Sequence, residues 1–218
     1  MKPASFARTG IGTNQNTMNT REARKIYLAS GNAGKLAEFR ALAESAGRHW
    51  ELELLPGYAN HPEFEESAPT FAENAAGKAF HYSRLVDGIV FADDSGLVVP
   101  ALGGAPGVLS ARYAGPGACN EQRIAKLLGE MKGLAREQRG AYFVCVIAAV
   151  RGARALAIVS EKVDGEILGA PRGSGGFGYD PVFFFPPLGK TFAELQAEQK
   201  NLHSHRGKAF RRLMEVLE

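Results

Sequence analysis

Two long strand-like runs follow one another in mid-chain, Ala141 to Val150 and Ala155 to Val163, and they limit the fold more than any other feature. Runs of that length need a sheet to lie in, and the surrounding segments supply further strands and helices to cover its faces. Ile26 to Ala29, Trp50 to Leu55, Ile89 to Ala92 and Val182 to Phe185 are short apolar, strand-like runs. Leu36, Phe39, Leu42 and Ala43 recur at helical spacing up to Gly47, a stop signal. Another helix opens after Pro69, where Thr70 and Glu73 form a capping box, and it carries Phe71, Ala75, Ala79 and Tyr82 towards Leu85. Further helices are expected near Glu121 to Met131 and from about His205 to Leu217. Strands and helices interleave without internal repeats, which predicts a mixed α/β fold in a single domain over residues 25–218.

Charge becomes informative once it is divided by position. The 218 residues carry a net charge of +3, but residues 1–25 hold Lys2, Arg8, Arg21, Arg24 and Lys25 against Glu22 alone. That tail is +4, which leaves −1 for the remainder, so bulk binding to a nucleic-acid backbone is not the obvious role of the globular part. Residues 1–24 lack hydrophobic periodicity and the apolar stretch of a secretory signal, and they read as a disordered basic extension. No run of about 18 apolar residues occurs, so no membrane-spanning helix is expected. Two cysteines are too few for a disulfide scaffold, and Cys145, inside the apolar run Tyr142 to Ile147, reads as a buried reduced thiol.

Four groups of residues could carry chemistry. Ser30-Gly31-Asn32-Ala33-Gly34-Lys35 lies between a strand and a helix, where free N–H groups suit an anion, although a tight turn with a solvated lysine has the same signature. Lys35 stands in the first helical turn against the dipole preference for anions, which favours a bound anion. The spacing is not that of a P-loop, since Leu36 occupies the place of a metal-binding hydroxyl. Asp93-Asp94-Ser95-Gly96 is expected at the C-terminal end of an apolar strand, with two adjacent carboxylates that call for a cation or strong donors. Mg²⁺ is the natural cation, and Glu65-Glu66 could add a carboxylate; alternatively one Asp caps the turn.

Gly175 to Asp180 sets Phe177 and Tyr179 among glycines, which suits base stacking or a lid on the core beside Phe183 to Phe185. Lys200, His203, His205, Arg206 and Lys208 crowd the start of the last helix, where a basic turn again opposes the dipole. Together these groups describe a phosphate loop, a metal–carboxylate centre and an aromatic–basic pocket: a nucleotide site.

From Ile26 to its end the chain resembles the Ham1/RdgB-like inosine triphosphate pyrophosphatases. The resemblance rests on Ser30 to Lys35, Thr70 to Ala75, Phe91 to Leu97, Leu102 to Gly107 with Ser110 to Tyr113, Gly175 to Pro181, and Ser204 to Gly207. Ser30 stands where Thr is commoner, and the tail before Arg24 has no counterpart. The resemblance implies a two-lobed fold with a long central sheet, in a Mg²⁺-dependent cytoplasmic homodimer that converts ITP, dITP and XTP to monophosphate and pyrophosphate. It implies that Asp94 is the catalytic base and a metal ligand, with Glu65 a second ligand and Glu66 its neighbour in the same loop. Ser30, Gly31, Asn32, Ala33, Gly34, Lys35 and Ser95 would hold phosphates and sugar. Phe177, Gly178, Tyr179, Asp180, Lys200, His205 and Arg206 would hold the base.

Hypoxanthine and xanthine carry a 6-oxo acceptor where adenine carries an amino donor, so donors at that position select the former. Guanine shares the 6-oxo group, so its exclusion must act through its 2-amino group. A Maf-like pyrophosphatase would lack the Phe177 to Asp180 and Ser204 to Arg206 motifs. A nucleic-acid-binding protein would show salt-dependent binding that survives loss of Asp94, and a nucleotide sensor would release no pyrophosphate.

Overall fold

The computed structural model describes residues 24–31, 33–45 and 50–218. Residues 1–23 of the basic tail, Asn32 and the Gly47 stop lie outside the described residues. Seven strands form one sheet: β1 (Arg24–Leu28), β2 (Trp50–Leu54), β3 (Ile89–Val98), β4 (Gly140–Arg151), β5 (Arg154–Ile167), β6 (Phe183–Phe185) and β7 (Lys190–Thr191). Their spatial order is β2-β1-β3-β4-β5-β6-β7. The first three are mutually parallel and the rest antiparallel, so the sheet is mixed, as expected.

Five α-helices cover it: α1 (Ala33–Ser45), α2 (Phe71–Tyr82), α3 (Asn120–Glu130), α4 (Ala197–His203) and α5 (His205–Leu217). The local signals behave as their chemistry requires. Thr70 Oγ1 accepts from the Glu73 backbone N–H and donates to the Glu73 carboxylate, satisfying one orphan donor of the first turn of α2. Ser204 caps α5 in the same way, accepting from the Gly207 N–H at 3.0 Å.

β4 and β5 are long enough to run through two lobes. In the first, Phe39 of α1 and Phe210 and Leu213 of α5 pack on Ile26, Leu28 and Phe91. The opposite face of the same strands meets α2 through Ala75, Ala79 and Tyr82. In the second lobe, Leu127 of α3 packs with Phe143, Val163, Phe183 and Phe192. Cys145 is fully buried in β4, and burial pushes its thiol up to about 12, an inert core position.

One strand differs from the expectation in a way that matters. Asp93-Asp94-Ser95-Gly96 does not follow the strand but lies inside it, because β3 continues to Val98. The apolar run of β4 supplies the partner: Asp93 pairs with Ile147, Asp94 with Val146, Ser95 with Cys145 and Gly96 with Val144. Past β3, the turn Gly107–Arg112 folds back onto it. Ser110 Oγ accepts from the Leu97 N–H at 2.9 Å and donates to the Gly107 carbonyl at 2.6 Å.

That close approach depends on Gly96. A Cβ there would lie 2.5 Å from both the Gly107 carbonyl and Ser110 Oγ, contacts that require the turn to move. Gly96→Ala is therefore expected to destabilise the fold by about 1–3 kcal/mol, as other overpacked sites do, seen as a lowered urea midpoint. An unchanged midpoint would show that the turn is not held against β3.

Candidate active site

Side chains along a strand alternate between the two faces of its sheet. The two adjacent aspartates of β3 consequently leave the sheet on opposite sides and meet different partners. Asp93, 1% exposed, faces α1 and α5. Lys35 Nζ lies 2.8 and 3.0 Å from its two carboxylate oxygens, Arg206 Nε lies 3.4 Å from Oδ2, and Ser95 Oγ donates to the same oxygen at 3.3 Å. Burial alone would raise the Asp93 pKa, but Lys35, Arg206 and Lys78 outweigh it and hold the carboxyl well below the usual range. Arg206 is itself buried and reaches Glu38 of α1 through Nη1 at 2.9 Å. The phosphate-loop lysine and the basic residue of the last helix thus share one buried counter-ion.

Asp94 faces α2. Asn74 Nδ2 donates to its Oδ2 at 3.0 Å, and the buried Lys78 one turn further on is ion-paired with Glu66. Burial, then the negative charge of Glu66, pushes Asp94 up to about 6, against the opposing Asn74 hydrogen bond and the Lys78 charge. Desolvation would lower the Lys78 pKa, yet Asp93, Glu66 and Asp94 hold it raised. Arg112 Nη2 donates to the Glu66 backbone carbonyl at 2.6 Å and fastens the acidic loop to the second lobe. Glu63, Glu65 and Glu66 line a cavity with Lys78, Tyr58 and Arg112. Glu65 is exposed, and Glu66 is the loop carboxylate whose charge acts on Asp94.

These donors are hard oxygens. No group of three His, Cys, Asp or Glu side chains among the described residues forms a closed metal cage. A magnesium ion does not need one, because it keeps waters and substrate phosphates and takes only one or two carboxylates. Asp94 and Glu66, close enough for the charge of one to raise the pKa of the other, with Glu66 lining an open acidic cavity, fit that requirement.

A second cavity opens on the other side of β3, between Ser95, Phe143, Phe177, Asp180, His205 and Arg206. Lys200 Nζ is 2.5 Å from Asp180 Oδ2, which also accepts the Phe177 N–H at 2.8 Å. The half-exposed Phe177 ring has Lys200 Nζ 4.4 Å and the Arg206 guanidinium carbon 5.2 Å from its centroid. His205 stacks on Phe143 at 4.7 Å and 12°, and burial, then the charges of Arg206 and Lys200, holds it neutral. Its Nδ1 is buried without a hydrogen-bond partner, an unsatisfied polar atom in the wall of the cavity.

The residues expected from sequence therefore fall on the two faces of β3, Asp94 with Glu65 and Glu66 on one side and the loop, aromatic and basic residues on the other. Lys35, Asp93, Arg206 and Phe177 form a continuous chain of contacts from the start of α1 to the aromatic loop. Ser30, Gly31 and Gly34 lie where β1 hands over to α1, Ala33 begins that helix, and Asn32 is outside the described residues. Lys200 belongs to α4, not to the last helix, and Tyr179 is turned into the wall, its hydroxyl donating to the Ser110 carbonyl at 3.0 Å. Sequence reasoning missed Glu38, Asn74, Lys78, Arg112 and Arg123 as parts of these sites. Asn74 and Lys78 did carry a signal: they stand four apart beside Ala75 and Ala79, polar residues on the helix face meant for the core.

Known proteins are similar to this chain over most of its length. Residues 26–216 match the model of the Ham1 family. A dITP/XTP pyrophosphatase of Geobacillus kaustophilus is 51% identical over 195 residues, covering 89% of this chain and 95% of the relative. One from Ralstonia nicotianae is 50% identical over 200 residues, covering 89% and 96%. The solved structure of a HAM1 protein from Coxiella burnetii superposes with a TM-score of 0.80 at 41% identity, covering 89% of this chain and 98% of that one.

The raised Asp94 pKa has a consequence for stability. A carboxyl at about 6 in the folded chain binds more protons than the unfolded one, so its contribution is present at low pH and is lost as pH rises through 6. In metal-free buffer, Asp94→Asn is expected to be more stable than the parent at pH 8, by about 1–3 kcal/mol. The gap should close near pH 4. Equal melting temperatures of the two proteins at pH 8 would contradict the assignment.

Proposed function

The chain belongs to the Ham1 family, and from that premise we propose that it hydrolyses the non-canonical purine nucleoside triphosphates ITP, dITP and XTP to monophosphate and pyrophosphate. The observation that carries the reading is the division made by β3: an aspartate with a raised pKa beside the Glu66 charge on one face, and on the other a cationic network leading to an aromatic cavity.

In-line attack of water on the α–β anhydride needs a base near the water and positive charge near the leaving pyrophosphate. Asp94 orients the water and takes its proton. Lys35 and the amides at the start of α1, in the Ser30 to Lys35 loop, receive the phosphates, with Ser95 beside them. Lys78 keeps Glu66 in place next to Asp94. Asp94 with the acidic loop, Glu66 ahead of Glu65, would hold Mg²⁺, which when bound neutralises phosphate charge and lowers the pKa of its water.

The Phe177 face stacks the base, flanked by Gly178, Tyr179 and Asp180. Arg206, Lys200 and the neutral His205 supply its polar partners, and donors there welcome a 6-oxo group while refusing the 6-amino group of adenine. The same reading takes the enzyme to be a cytoplasmic homodimer, on the family resemblance.

Pyrophosphate release from ITP, XTP, dATP and dGTP, each with Mg²⁺ and with EDTA, tests the proposal. ITP and XTP are expected to turn over only with metal, and dATP and dGTP to be nearly inert. Asp94→Asn should lower turnover by about 10²–10⁴-fold, the usual worth of a general base, while ITP affinity falls much less. Equal turnover of all four nucleotides would overturn the account of the base cavity. No release from any would overturn the enzyme reading.

A further inference from the structure

The aromatic cavity has a wall that the reading above leaves without a task. Arg123, the fourth residue of α3, lines it together with Phe177 and His205. Its Nε and Nη2 donate to the Ala118 carbonyl at 3.2 and 2.9 Å, and Nε also approaches the Cys119 carbonyl at 3.3 Å, so the guanidinium is pinned to the start of its own helix. Burial raises the pKa of the Tyr179 hydroxyl in the same wall, and the Arg123 charge opposes it, which sets the guanidinium within electrostatic reach of that residue.

The polar groups of this wall differ in how far they are already engaged. Ser110 Oγ is held between the Leu97 N–H and the Gly107 carbonyl, and the Tyr179 hydroxyl by the Ser110 carbonyl. Asp180 is neutralised by Lys200, and Arg206 by Asp93 and Glu38. Arg123 bonds neutral carbonyls, and no salt bridge compensates its charge among the described residues. A pinned guanidinium whose charge meets only the exposed Glu121 of its own turn, in a cavity that His205 and Phe177 also line, marks a place for a ligand edge rich in acceptors or negative charge.

We propose that Arg123 reads the 2-position of the purine: it accepts the 2-oxo group of xanthine, tolerates the bare C2–H of hypoxanthine, and refuses the 2-amino group of guanine. The inference rests on the pyrophosphatase reading and deepens it. Xanthine offers an acceptor oxygen there and loses a ring proton near neutrality, so its base is partly anionic where a cation waits. Guanine presents an N–H donor to a guanidinium that has only donors, and one side must stay unpaired. A single side chain thereby ranks XTP above ITP and closes the cavity to GTP, whose 6-oxo edge the Arg206 side cannot reject.

The test is a comparison of kcat/KM for XTP, ITP and GTP in the Mg²⁺-loaded parent enzyme and in Arg123→Met, Arg123→Gln and Arg123→Lys. Ratios taken within one protein cancel any loss of folded enzyme. Met and Gln are each expected to lower the XTP-to-ITP ratio about tenfold or more, the worth of a hydrogen bond to a charged group, and to raise the GTP-to-ITP ratio. Lys should retain part of the XTP preference. A parent active on ITP whose ratios do not move in Met or Gln overturns the role of Arg123 and leaves the pyrophosphatase reading intact. A parent that turns over none of the three overturns both.

Discussion

The alternation of β3 is the constraint on which the site depends. Two consecutive carboxylates would repel strongly if they shared a face, yet the pleat sends Asp93 towards α1 and α5 and Asp94 towards α2. Each then acquires the environment its task requires. Asp93 is buried among cations and stays ionised, whereas Asp94 sits beside another carboxylate and titrates late. One dipeptide in one strand thus supplies a carboxylate that stays ionised and another that takes up a proton near pH 6, and the sheet between them keeps the two environments apart.

Burying Asp93 is tolerable only because its partners are buried with it. Lys35 is anchored by α1, Arg206 by α5, and Glu38 balances the second positive charge, so helices distant in sequence are tied to one strand by charge as well as by Phe39, Phe91 and Phe210. Removing one member of such a group leaves an uncompensated buried charge, typically costing about 3–5 kcal/mol. A phosphate that draws Lys35 away would change that balance. Arg206 would then carry more of the Asp93 charge, which links the phosphate end of the site to the base end through a side chain that belongs to both.

Much of this was legible in the sequence, and what was not has physical reasons. The capping box at Thr70, the glycine loop before Lys35 and the amphipathic α5 are local, and local signals survive without knowledge of the fold. Asp93 to Gly96 reads as a loop because polar residues and glycine are poor strand formers; only the register with Val144 to Ile147 makes them a strand. Had that extension been known, the period of two would have separated the aspartates at once. The helix α4 has no buried residue to give it a period. Lys78 and Arg123 were invisible for a different reason. A basic residue on a helix is normally solvated, and nothing but the packing of the chain puts one beside Asp94 and the other in the aromatic cavity.

The division between strand and loop also explains where this fold can vary. The charged side chains around Asp93 and Asp94 come from β3, α1, α2 and the head of α5, elements clamped by the first-lobe core, so their geometry has little freedom to drift. The aromatic cavity is lined by Phe177 to Asp180 and one face of α3, which belong to the second lobe, and by the head of α5, which packs in the first. The turn Gly107–Arg112 joins the two regions: Ser110 receives Tyr179 from the base side, and Arg112 holds the Glu66 carbonyl on the acidic side. On the function proposed for this chain, a substitution on α3 would alter which purine is accepted without touching Asp94. The two regions meet at that turn and again at Arg206, which touches Asp93 on one side and the Phe177 ring on the other.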